Sequence, residues 1–86
     1  MSYSKEMIEA IQNEELDRAN AFLEKALAED SEEDLYALIE TLYDLGFLAE
    51  TKQVVTHLLT EFPDEDGLKI TMAEIAIEQG SRAGGI

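Results

Sequence analysis

The chain has 86 residues, with 20 Asp and Glu against 6 Lys and Arg, a formal charge of −14 and a pI near 4.1. So acidic a chain offers no basic footprint for phosphates and is repelled by anionic membranes, so neither nucleic acid nor membrane is an expected partner. The lack of cysteine removes disulfides, Cys-ligated zinc and thiol catalysis, while a hydrophobic content of 45% is too high for a disordered acidic tail.

Glycine is sparse, Pro63 is the single proline, and the segments between them are rich in Ala, Leu, Glu, Ile and Gln. Strict alternation never persists, so the chain is expected to be all-α, with five helices. The first is predicted from Ser4 to Gln12. The second, from Glu15 to Glu29, carries the stripe Leu16, Ala19, Phe22, Leu23, Ala26 and Leu27 along one face. The third opens at Ser31, with Asp34 three residues on as a weak capping box, and closes at Gly46. The fourth runs from Ala49 to Glu61. The fifth starts at Asp64 or Glu65 and is expected to stop at Gly80, leaving residues 81–86 as a tail. The N-terminus has no apolar run of secretory type, and no stretch approaches the ~20 apolar residues of a membrane span, so a cytoplasmic location is expected.

The helices repeat. A shift of 32 places Met7 on Ile39, Ile11 on Tyr43, Leu23 on Val55 and Leu27 on Leu59, carrying the first two helices onto the next two. A shift of 34 places Leu38 on Met72, Leu42 on Ala76 and Gly46 on Gly80. The chain therefore reads as hairpin 3–30, hairpin 31–63 and a lone helix 64–80, two and a half units in a single domain. A lone hairpin cannot bury its own apolar faces, so each first helix is expected between its partner and the preceding unit's second helix.

The middle unit, with Leu35, Leu38, Leu42, Gly46, Leu48, Val55 and Pro63 at their spacings, resembles the tetratricopeptide repeat (TPR) family. Ile39, Thr51 and Leu58 depart from its usual small residues. The first unit is more degenerate. Glu14 stands where the turn glycine belongs, and Asn13 is expected to take the left-handed conformation in its place. The resemblance implies a right-handed solenoid of antiparallel helix hairpins. The acidic, Leu- and Glu-rich version looks like small bacterial members. The half unit at the end implies an N-terminal fragment of a longer array. Its uncapped fifth helix predicts dimerisation or helix exchange through that end.

Catalysis is not expected. His57 is the single histidine and has no nucleophile or metal cluster beside it in sequence. The acidic runs 29–34 and 64–67 lack the spacing of a calcium loop, and with so many carboxylates any paired acids arise by chance. No cofactor and no metal is expected. Two other classes compete. Asp30-Ser31 at a helix start invites an acyl-carrier-like protein modified at Ser31, although the glycine before and the leucine after such a serine are missing. An acidic mimic of nucleic acid is the other.

The favoured expectation is a protein–protein interaction scaffold that binds a peptide or protein segment. The resemblance places its concave surface on the first helices of each unit. Ile8 and Ile11 come from the first helix, Tyr36, Glu40, Tyr43 and Asp44 from the third, and Ile70, Glu74 and Ile77 from the fifth. Ile11, Tyr43 and Ile77 equally suit a role in closing the core. TPR clamps for a terminal carboxylate use Lys, Arg and Asn. Lys5 and Asn13 are the nearest candidates here, so a basic segment is expected instead.

Overall fold

A computed structural model describes the backbone of residues 2–84 and the side chains of residues 2–80. The described residues form five helices and no strand: α1 (Tyr3–Gln12), α2 (Leu16–Glu29), α3 (Glu32–Leu45), α4 (Leu48–Glu61) and α5 (Asp66–Gly84). The helix count and type agree with the sequence reading. The starts agree within two residues, and the end of α5 does not. Gly80 does not end α5, which continues to Gly84. No positive φ is adopted at Gly80, and nothing lies within 4 Å of where its Cβ would be. Glycine weakens a helix without forbidding it, so residues 81–84 of the expected tail are helical backbone. Residues 85 and 86 lie outside the described residues.

The helix ends explain the hairpins. Ser31 caps α3, its Oγ accepting the Asp34 N–H at 3.3 Å, and Glu32, Glu33 and Asp34 suit the positive end of the helix dipole. At the far end Gly46 takes φ 86°, with its N–H bonded to the Tyr43 carbonyl and the Phe47 N–H to the Leu42 carbonyl. This pair of bonds closes the turn and satisfies two orphan carbonyls. The first hairpin repeats the device 32 residues earlier. The Glu14 N–H reaches the Ile11 carbonyl and the Glu15 N–H the Ala10 carbonyl. The left-handed residue there is Glu14 at φ 61°, not Asn13, which keeps φ −91°. The bond pattern demands a left-handed residue at that place whether or not glycine is available.

A carboxylate closes the open end of the first hairpin. Asp30, just after α2, accepts the Tyr3 and Ser4 N–H groups at 3.1 and 2.8 Å, and the Ser2 and Ser4 hydroxyls at 3.1 and 2.6 Å. The C-terminal cap of one helix thereby caps the N-terminus of its partner. Ser4 is buried and fully satisfied by this arrangement. Nearby, Tyr3 stacks on Phe22 with ring centroids 6.4 Å apart, Lys25 lies over the Tyr3 ring and Arg18 over the Phe22 ring.

One core links the hairpins. Leu38, Leu42, Val54, Val55 and Leu58 are fully buried at the α3–α4 seam, Met7, Ala19, Leu23 and Ala26 extend the core into the first hairpin, and Leu68 and Ile75 attach α5. Thr51 is buried among them with its hydroxyl on the Phe47 carbonyl at 2.7 Å. Across the hairpins α1 packs on α3 and α2 on α4, while α5 packs on α4. The expectation for α3 is therefore corrected. Its main neighbour in the first hairpin is α1, not α2. The result is a slab of 38 × 32 × 16 Å, no more than two helices deep.

Candidate interaction face on α3 and α5

Both α3 and α5 pack on α4, and they have no comparable packing against each other. Each keeps exposed residues on the part of its surface that is not packed. The 34-residue shift relates these residues as two matching rows. Tyr36 corresponds to Ile70, Glu40 to Glu74, Tyr43 to Ile77 and Asp44 to Glu78. Helical spacing puts the members of each row on one side of their helix. Tyr36 is 37% exposed, Ile70 60% and Ile77 69%, and all four carboxylates are exposed.

The electrostatics tie the two rows together. Partial burial raises the Tyr43 hydroxyl above its ordinary value, and the Glu78 and Glu74 carboxylates push it further up. Partial burial also raises Tyr36, with Glu65 and Glu32 adding to it. Carboxylates just before α5 and along it thus act on the two α3 tyrosines. Charge here is one-sided. Helix α3 carries five acids and no Lys or Arg, and Lys69 of α5 lies 3.9 Å from Asp66. Around Tyr36 and Tyr43 the field is negative, as a cation requires.

The expected site residues do not all lie on these two helices. Tyr36, Glu40, Tyr43 and Asp44 lie on α3 and Ile70, Glu74 and Ile77 on α5, all of them exposed except the partly buried Tyr43. Ile8 and Ile11 belong to the core of the first hairpin, where both are only partly exposed and pack on buried residues. Ile11 lines a small cleft with Met7, Leu16, Ala19 and Phe47 at the turn end of the hairpins. Tyr43 plays two parts, since it also packs on the core, whereas Ile77 covers nothing. In the first unit, Ser4 stands where Tyr36 does in the second and is locked to Asp30, and Ile8 stands in place of Glu40. The acidic-aromatic pattern is thus confined to α3, with isoleucines in place of the tyrosines on α5.

Elsewhere chemistry is thin. His57 lies 3.5 Å from Glu61 within α4, and Ser31 is occupied as a helix cap. No group of three His, Asp or Glu among the described residues could hold a metal ion, and none of their helices is long and apolar enough to cross a membrane. A shallow depression of about 430 Å³ between α2 and α4 is lined by Leu27, Ala49, Lys52, Gln53, Thr56 and His57. The sequence reading missed this depression, whose only signal was the uncharged run from Gln53 to Thr60. It missed the Asp30 clamp as well, because nothing near Asp30 in sequence names Ser2 and Ser4 as its partners. The chain matches no protein-family model, no curated protein and no solved structure.

Proposed function

We propose that this protein is a non-enzymatic interaction module of TPR type, whose α3–α5 face binds a basic-apolar segment of another protein. The observation that carries this reading is the matched pair of rows. The tyrosines of α3 and the isoleucines of α5 recur at the same register with carboxylates beside them in sequence, and Tyr36, Ile70 and Ile77 are exposed. The TPR-type assignment rests on the 32- and 34-residue repetition and on the identical turn bonds of the two hairpins. Rim carboxylates raise the association rate of a cationic partner, and the aromatic rings supply contact area at small entropic cost.

The test is a fluorescence titration with a synthetic Lys/Leu peptide at two ionic strengths. Binding should weaken steeply with salt and be lost in the Tyr36→Ala, Tyr43→Ala double variant. Salt-independent binding, or full affinity in that variant, would overturn the proposal. The exposure of Ile70 and Ile77 favours a second reading, in which two copies pair through α5. Sedimentation velocity at rising concentration tests this, and a strict monomer excludes it.

A further inference from the structure

We propose that α5 of one copy of this protein docks into the shallow depression between α2 and α4 of a second copy. The inference rests on the second reading above, in which α5 carries self-association, and names the surface that α5 meets. Helix α5 has one principal neighbour, α4, whereas every other helix packs on at least two. Its packed side carries the buried Leu68 and Ile75, and its open side carries the exposed Ile70, Glu74 and Ile77. Of the five helices it is therefore the one with an apolar side still to cover.

The depression supplies what that side lacks. It is lined by Leu27 of α2 and by Ala49, Lys52, Gln53, Thr56 and His57 of α4, with no carboxylate. Residues 51 to 60 are the longest interval between two acids in the sequence. The clefts between α1 and α2 and at the α4–α5 turn are, by contrast, lined by carboxylates. A second chain of net charge −14 is repelled by such surfaces, and charge complementarity singles out the depression. Glu61 lies 3.5 Å from His57, and Lys52 takes part in none of the ion pairs among the described residues. The two surfaces also share a register. Ala49, Gln53 and Thr56 on α4 have the spacing of Ile70, Glu74 and Ile77 on α5, one side of a helix in each case. Lys52 lies within the first row as Glu74 lies within the second, so the cation and the carboxylate both fall in the middle of the contact, whichever way the helices run. Because different surfaces meet, the contact closes as a dimer only if two copies dock reciprocally, and otherwise propagates.

Sedimentation velocity at rising concentration tests this. At 0.15 M salt a screening length of about 8 Å cuts the mutual repulsion of the chains and leaves contact pairs in force. The wild type should associate. Lys52→Glu and Glu74→Lys each set like charges against each other at the contact, and each should weaken self-association about tenfold. An equimolar mixture of the two variants should recover it, because each depression then receives an α5 of opposite charge. Both residues are exposed, so both variants should keep the wild-type helical circular dichroism. Undiminished association of Lys52→Glu would overturn docking into the depression and leave pairing of α5 with α5 standing. A mixture that associates no better than its components would overturn it too. A wild type that stays strictly monomeric would overturn both.

Discussion

Glu14 holds a backbone conformation that costs an L-residue with a Cβ about 1–2 kcal/mol, and it does so because the turn bonds to Ile11 and Ala10 require it. Glycine there would remove that strain but would add unfolded-state freedom worth roughly 0.5–1 kcal/mol. Glu14→Gly should therefore stabilise by about 0.5–1 kcal/mol, read as a higher urea midpoint, while Glu14→Gln removes the charge and keeps the strain. Gly46→Ala should do the opposite, losing about 1 kcal/mol or more. Asp30 works differently, since its value lies in its partners. Burial acts to raise its pKa, but the Ser4 hydroxyl and N–H, the Tyr3 N–H and the Ser2 hydroxyl together outweigh that and hold it below the ordinary carboxylate value. A depressed folded pKa contributes stability above the unfolded pKa and loses it as pH falls through the folded one. Asp30→Asn keeps the shape and loses the charge, and should cost about 2–3 kcal/mol near neutrality. Below about pH 4 the gap between wild type and variant should close. A gap that persists unchanged at pH 2.5 would show that the charge is not what holds the clamp.

At the scale of elements, α5 stands apart. It packs on α4 through Leu68 and Ile75, and its opposite side is bare at Ile70 and Ile77. Ile75→Ala should cost about 2–4 kcal/mol, whereas Ile77→Ala should change stability by less than about 0.5 kcal/mol. Gly80→Ala should raise helicity and stability by up to about 1 kcal/mol, because its Cβ site is open and its backbone helical. The helices themselves were legible, because Leu35, Leu38, Ile39 and Leu42 recur at helical spacing and Ser31 and Gly46 mark the ends of α3. What was not legible depends on the third dimension. Glycine at position 80 looked like a stop because it matches Gly46, yet Gly46 ends α3 through its φ and its two turn bonds, and Gly80 has no such φ. Ile8 and Ile11 looked equivalent to Glu40 and Tyr43 by register. Ile11 and Tyr43 do share a place, both packing on the core, but Ile8 is partly buried against the core where Glu40 is exposed.

Over the whole molecule the −14 charge sets the balance between stability and binding. The longest dimension is 38 Å. At ~0.01 M salt the screening length is about 30 Å, so almost every carboxylate feels the others, and at 0.15 M it falls to about 8 Å, roughly the distance to the next helix. Added salt should therefore relieve repulsion and raise the urea midpoint, most steeply between those two concentrations. Salt also weakens favourable pairs, which opposes this gain. The three ion pairs among the described residues all involve exposed carboxylates, and such pairs contribute about 0–1 kcal/mol each, so repulsion dominates. The measurement needs urea, since guanidinium is itself a salt. The proposed binding of a cationic peptide should respond with the other sign, because the same screening removes the attraction that would draw the peptide in. One salt titration should thus move the two properties in opposite directions. A midpoint that fell with salt would mean that local pairs outweigh the net charge. The acids beside Tyr36 and Tyr43 would then be part of the fold's support rather than a field held open for a partner.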